Sequence, residues 1–362
     1  MSKISIINCH IHTFTGRHVP QDYPYKFLWL FKQVPILVKW MAIVVSWFSR
    51  DIGEKLFRLY RFQQETNRKN QSDVLAEVRK QYPQNTRFVV LPMDMANMGH
   101  GKVTDTLAAQ HDELAALAND PDVGHAVIPF ATINPVNDPE ARELWRAVDT
   151  HGFKGVKIYP KLGFAPDHDT LMTHVYPEMA RRGLPLMTHC MRGGVQGKEV
   201  SDHRAARYTE PRAYVPVMTQ HRDLKVCLAH FGGHQEWDAY VNDGAGSGTP
   251  KQRQENWQVG IRDMIGSGEW PGLWTDISYT LFHFEDYIPF LRLFLLDDNI
   301  AGERLRRRVL FGSDFYMTRQ EKLSERAVCF RLRNALGEDV FRQIAENNPR
   351  VWLGEVEEAA LV

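Results

Sequence analysis

Two histidines, His10 and His12, stand two residues apart near the start of the chain, and at that spacing a strand presents both imidazoles on one face. Two neutral imidazoles side by side make half of a transition-metal site, since nitrogen donors hold a zinc-like ion at about 2.0–2.1 Å. Alone the pair says little. Further donors follow apolar runs much later in the chain: His189 closes PLMTH, His230 closes KVCLAH, and Asp314 follows LFGS. Each stands just ahead of a polar or glycine-containing loop. Lys157, within FKGVKIYP, is a sixth group that could do chemistry. Its amine either stays a cation that binds a substrate carboxylate or, once carboxylated by carbon dioxide, bridges two ions. Lys154 lies three residues earlier, so strict alternation points only one of the two inward, and Lys157 is nearer the strand's carboxyl end.

Groups so far apart in sequence need a scaffold that gathers strand ends. Short runs rich in Val, Ile and Phe recur at 4–7, 87–93, 126–132, 154–158, 185–189, 225–230, 273–278 and 309–313. Helical patterns separate them: Leu107, His111, Leu114 and Ala118 follow helical spacing, as do Leu144 and Val148, and Val74, Leu75 and Val78 form a stripe ending before Pro83. Strand alternating with helix eight times predicts an α/β fold of the TIM-like (β/α)8 barrel type, whose strand carboxyl ends open on one rim. Four histidines and Asp314 then share one mouth. An open doubly wound sheet would need a glycine-rich phosphate turn after the first strand, where CHIH stands instead. The stretch 242–250 (NDGAGSGTP) reads as a mobile loop after the sixth strand.

The 362 residues read as a single barrel domain, 1–362, with a hydrophobic helical insertion at 20–70 after the first strand. Basic and acidic residues each number 44, so no global positive field exists to hold a nucleic acid; the expected partner is a small-molecule substrate, with a homodimer as a further expectation. Cys9, Cys190, Cys227 and Cys329 form no CxxC pair and fit a reducing, cytoplasmic compartment. The opening MSKISIIN runs into a strand without the apolar stretch of a secretory signal. Residues 27–48 (FLWLFKQVPILVKWMAIVVSWF) are mostly apolar, but Lys32, Gln33, Pro35 and Lys39 break the run of about 18 apolar residues that a spanning helix needs. A lid, a dimer surface and a membrane-facing surface are the three readings of this segment.

The HxH pair, FKGVKIYP, LPLMTH, RDLKVCLAHFGG, LFGSDF and the closing AENNPRVWLG together resemble the amidohydrolase superfamily, in particular its aminocarboxymuconate-semialdehyde-decarboxylase-like branch of metal-dependent hydrolases. The resemblance covers most of the chain apart from 20–70. It implies a TIM-like barrel with one or two divalent ions, zinc foremost, and makes His10, His12, His189 and Asp314 the ligands of one ion. It also makes His230 either an acid/base beside that ion or a ligand of a second, and Lys157, if carboxylated, a bridge in a two-metal form. Other members often carry a preceding aspartate or a different flank at the first-strand pair, where Asn8 and Cys9 stand here, so the substrate group stays open.

Three functions are compatible with this pattern. In metal-assisted hydrolysis of an amide, lactone or ester, the ion lowers the pKa of its water toward about 7; the resemblance implies that Asp314 takes that proton and returns it to the leaving group, while His230 orients or polarises the substrate carbonyl. The second is non-oxidative decarboxylation of an aromatic or unsaturated acid. The third is a non-catalytic, binding or membrane-peripheral barrel. For the substrate, Arg192 in THCMRGG is positioned to hold a carboxylate or phosphate, while Tyr159, Lys161, Asp94 and His234 occupy similar rim positions. Alternation turns Cys9 away from His10 and His12 toward the helices, and Cys190 reads as a packing residue.

Overall fold

The computed structural model describes residues 3–23, 35–244, 248–283, 285–320 and 323–361. Residues 27–34 of the apolar segment and 245–247 of the glycine-rich loop lie outside them.

Every strand is short and buried on both faces, as parallel strands sheathed by helices must be. They are β1 (Ile7–Ile11), β2 (Arg87–Val90), β3 (Val127–Pro129), β4 (Ala131–Thr132), β5 (Val156–Ile158), β6 (Leu186–Thr188), β7 (Val226–Leu228), β8 (Leu273–Asp276) and β9 (Val309–Leu310). All pairings are parallel and sequential, β1-β2-β3 in one arc and β4 through β9 in the other. Phe130 alone separates β3 from β4. At the other junction Cys9 N–H donates to Phe311 O (2.8 Å) and Asp314 N–H to His10 O (2.8 Å), which ties the last strand to the first. The architecture is the expected barrel, with helices at Gln71–Arg79, Leu107–Ala118 and Arg142–His151 where the spacing predicts them.

The first strand departs from expectation. It begins at Ile7 rather than Ile4 and contains His10, because its alternate positions are filled by the buried polar side chains of Asn8 and His10 rather than by an apolar run. Its register with β2 also slips between Asn8 and Ile11, where three steps on β1 oppose two on β2. Such a bulge re-aims side chains. Lys157 is in register with Met187, Met187 with Cys227, and Cys227 with Trp274, so these four share the barrel interior. Cys9 packs in the same interior cluster with Val89, Met187, Cys227 and Trp274. The expectation that Cys9 turns toward the helices is therefore corrected: strict alternation fails at the bulge.

The described part of the insertion is a helical hairpin, α1 (Pro35–Ser46) and α2 (Arg50–Thr66). Ser49 caps α2 by accepting from Ile52 N–H (3.4 Å). At Gly53 a Cβ would lie 2.6 Å from Ser46 Cβ, so glycine permits the close crossing of the two helices. The hairpin is moored to the barrel through Phe62 against Tyr316 (5.8 Å between ring centres), Tyr316 stacked on Phe14 (4.1 Å), and Arg319 donating to Glu65 (2.9 Å).

Candidate metal centre and active site

At the carboxyl ends of the strands lies a cavity of about 320 Å³ whose wall includes His10, His12, Lys157, Tyr159, His189, His230 and Asp314. Leu59 and Phe62 of α2, with Phe14, Val19, Met93, Met95 and Tyr316, supply much of its apolar lining. Of the residues singled out in sequence, Arg192 lies outside this wall: it pairs with the buried Glu236 and stacks on Trp257 (4.5 Å). Lys161 donates to Gly193 O (2.9 Å), Asp94 accepts from Asn137 (2.7 Å) and from Ala96 N–H (3.1 Å), and His234 is bonded to Tyr287 (2.7 Å). Lys154 is exposed while Lys157 is fully buried.

The imidazoles are oriented from behind. His10 Nδ1–H donates to Asp276 Oδ2 (2.7 Å), which leaves the Nε2 lone pair facing the cavity, buried and without a hydrogen-bond partner. His12 Nδ1–H donates to Leu91 O (2.7 Å), freeing its Nε2 in the same way; that atom lies 3.7 Å from Asp314 Oδ1, another buried atom without a hydrogen-bond partner. The donor atoms of His10, His12 and Asp314 all lie within 4.8 Å of one another.

His189 stands outside that trio and is stacked on Tyr159 (4.3 Å). Its Nε2–H donates to Gly193 O (3.0 Å), so its Nδ1 presents a lone pair to His230 Nε2 at 3.1 Å. Ser278 has a single hydroxyl proton, and Asp276 Oδ1 at 2.6 Å only accepts, so His230 Nδ1–H is the donor toward Ser278 (2.9 Å). Two lone pairs then face each other between His189 and His230. They repel unless a proton or a cation lies between them, while the trio of His10, His12 and Asp314, whose donor atoms lie close to one another, is the group that fits a divalent ion.

Burial sets the charge states. It holds all four imidazoles below the usual histidine range, His12 at about 3, with the Lys157 ammonium adding to the effect, so they stand neutral as ligands must. Burial also pushes the Asp314 carboxyl up to about 7 against the pull of Lys157, and lowers Lys157 to about 8. Lys157 Nζ has no hydrogen-bond partner, and its nearest aromatic face is Tyr159 at 5.9 Å.

Sequence reasoning missed Asp276. It accepts from His10 Nδ1–H, His230 N–H (2.8 Å), Ser278 N–H (3.1 Å) and Ser278 Oγ–H, and so ties three strand ends together. Its signal was present, for Asp276 closes the apolar run LWTD as His189 closes PLMTH. Backbone strain marks the same rim: His230 (φ 69°), Phe231 (φ 47°), Tyr279 (φ 56°) and Asp314 (φ 57°) are four of the five described non-glycine residues at positive φ. Each costs about 1–3 kcal/mol and is held by surrounding contacts, such as Thr280 Oγ1–H to His230 O (3.2 Å) and Trp237 Nε1–H to Phe231 O (2.9 Å).

Fold and donor set together define a parallel α/β barrel whose rim gathers histidines and a carboxylate into a metal-binding pattern. Sequence comparison gives the same class a family. An amidohydrolase family model matches residues 7–354, and the chain belongs to that family. No curated protein matches the chain. Among solved structures, an uncharacterized TIM-barrel protein from Bordetella bronchiseptica is 16% identical over 97% of this chain and 98% of its own, with a TM-score of 0.55. The 5-carboxyvanillate decarboxylase of Sphingomonas paucimobilis is 15% identical over 97% and 99%, with a TM-score of 0.53. A mutant 5-carboxyvanillate decarboxylase from Novosphingobium aromaticivorans with bound manganese is 14% identical over 97% of each chain, with a TM-score of 0.51. At these identities the likeness is one of fold. Enzymes of the family bind divalent metal ions and include both hydrolases and decarboxylases.

Proposed function

We propose that this protein is a metal-dependent hydrolase that cleaves an ester, lactone or amide bond of a small, largely apolar molecule. The observation that carries the reading is the cluster of donors from His10, His12 and Asp314, with His10 Nε2 and Asp314 Oδ1 buried and without hydrogen-bond partners, in a cavity whose wall is otherwise largely apolar and aromatic. His10, His12 and Asp314, joined by His189 or His230, would hold the ion, and nitrogen donors with one carboxylate suit zinc. When bound, a divalent ion supplies Lewis acidity toward a carbonyl oxygen and acidifies water near neutral pH.

The side chains do the rest. Asp314 faces the cavity and would exchange a proton with the reacting centre through a carboxylate oxygen. His230, locked by Ser278 and the Asp276-bound backbone, presents Nε2 to the substrate oxygen or to an ion. Tyr159 fixes the plane of His189 from below. Lys157, near 8, has the free-amine fraction that carboxylation by carbon dioxide requires, which would allow it to bridge a second ion. Leu59, Phe62 and Tyr316 exclude water from the bound substrate.

A second reading, decarboxylation, is favoured by one feature: the Lys157 ammonium is a buried, unpaired cation in the cavity wall, where a substrate carboxylate would neutralise it. A panel of neutral esters and lactones alongside aromatic carboxylic acids, assayed for acid release and for carbon dioxide, separates the two. Hydrolysis predicts acid release from the neutral compounds, with Asp314→Asn lowering kcat by a factor on the order of 10²–10⁴ even when metal is supplied in excess. Carbon dioxide release without water consumption would replace the first reading by the second.

A further inference from the structure

Helix α1 carries a single charged residue, Lys39, among its twelve. Val38 and Ala42 are buried against the hairpin's inner face, yet Ile36, Leu37, Trp40, Met41, Val44, Trp47 and Phe48 recur at helical spacing on the outer one, Trp40 61% exposed, Trp47 79% and Phe48 87%. Ile52, at the start of α2, extends the patch (53% exposed). A contiguous apolar surface of this kind marks an interaction site.

Charge identifies it. From Tyr23 to Arg50 the sequence holds Lys26, Lys32, Lys39 and Arg50 and no carboxylate, in a chain whose acidic and basic residues balance at 44 each. The hairpin itself, 35–66, holds Lys39, Arg50, Lys55, Arg58 and Arg61 against Asp51, Glu54 and Glu65, and Glu54 is already paired with Arg61 (2.9 Å), so a second copy would set one net-positive surface against another. Anionic headgroups answer them directly, and tryptophan at a lipid–water boundary has its ring in the apolar layer and its N–H among polar groups. Length then decides how the helix lies. Twelve residues span about 18 Å, short of the roughly 30 Å hydrocarbon core, and no described helix is long and apolar enough to cross a membrane.

We propose that the outer face of the α1–α2 hairpin docks on an anionic lipid surface, with α1 lying in the headgroup region and Trp40, Trp47 and Phe48 inserted. α2 also lends Leu59 and Phe62 to the cavity, so the docked hairpin would be part of the wall of the site.

Flotation of the full-length protein with phosphatidylcholine vesicles, with and without phosphatidylglycerol, tests this. The protein is expected to float with the mixed vesicles, less with phosphatidylcholine alone and less at high salt. Trp47→Ser combined with Phe48→Ser should weaken binding at least about tenfold, equivalent to about 1.4 kcal/mol. Lys39→Glu combined with Arg50→Glu should abolish the preference for phosphatidylglycerol. All four side chains sit on the surface, and circular dichroism checks that the variants fold. The proposal is overturned if the wild type floats with neither vesicle, if the Trp47/Phe48 variant floats equally well, or if that variant instead turns a concentration-dependent dimer into a monomer while neither form binds lipid.

Discussion

Asp276→Asn is the most informative substitution, because its consequence follows from counting protons. Asp276 Oδ2 receives one proton, from His10 Nδ1–H, and Oδ1 receives three, from Ser278 Oγ–H, Ser278 N–H and His230 N–H. An amide offers one oxygen and one NH2. With NH2 toward Ser278 and His230, three donors face a donor, each costing about 1–3 kcal/mol. The amide therefore keeps its oxygen there and turns its NH2 to His10 Nδ1, which must become an acceptor. His10 then carries its proton on Nε2, the atom that should face the ion. Loss of the charged acceptor destabilises the fold by about 1.5–3 kcal/mol, and loss of a correctly oriented ligand weakens metal binding about 10–100-fold. Chelator competition and denaturant unfolding measure the two. Metal affinity equal to that of the wild type, with His10 still presenting its Nε2 lone pair, would refute the reasoning.

Three further outcomes follow from the same geometry. In chelator-treated protein, stability should fall as pH drops below 6.5. The four buried imidazoles stay neutral in the fold and take up protons only on unfolding; Asp314, held at about 7, retains its proton in the fold from about pH 4 to 7 and opposes this with one group against four. Each net proton contributes about 1.4 kcal/mol per pH unit, so His12→Ala should flatten the slope seen in unfolding midpoints, and an unchanged slope would exclude the buried-imidazole account. Gly194 sits at φ +98°, where a Cβ would lie 2.3 Å from Tyr159 Oη and 2.9 Å from His189 Cε1; Gly194→Ala should cost about 1–3 kcal/mol in strain and weaken metal binding by displacing the Tyr159–His189 stack. Arg192→Ala should lower thermal stability, since Glu236 loses its ion partner, while leaving KM for a neutral substrate unchanged; a large rise in KM would show that the guanidinium swings into the cavity.

The fold was legible because parallel strands are buried on both faces, so VVL, GVKI and KVCL stand out as apolar runs between helical stripes. The candidate site was legible for the same reason: a polar residue that ends such a run has nowhere to go but the rim. His189, His230 and Asp314 obey this, while Lys157 stands within its run and reaches the cavity from the middle of β5. Asp276 obeys it too and was passed over because it lay within an apolar run and had no partner nearby in sequence. Other features depend on three-dimensional context. The bulge that places both Cys9 and His10 in the interior is a register slip between β1 and β2, visible only once the two are paired. The positive φ values at His230 and Asp314 are imposed by contacts from other strands. Arg192 reads in sequence as a substrate clamp, and its pairing with Glu236, forty-four residues later in the chain, is visible only in the fold. The hairpin was expected as a helical insertion, but the contribution of Leu59 and Phe62 to the cavity follows from how α2 rests on Tyr316.

The most direct trial of the central claim is an anomalous difference map from crystals of the purified protein, recorded at the absorption edge of whichever metal it contains. The account predicts a peak within about 2.0–2.2 Å of His10 Nε2, His12 Nε2 and an Asp314 oxygen, with His189 or His230 completing the shell. A map featureless at that point, from protein supplied with divalent metal, would contradict it.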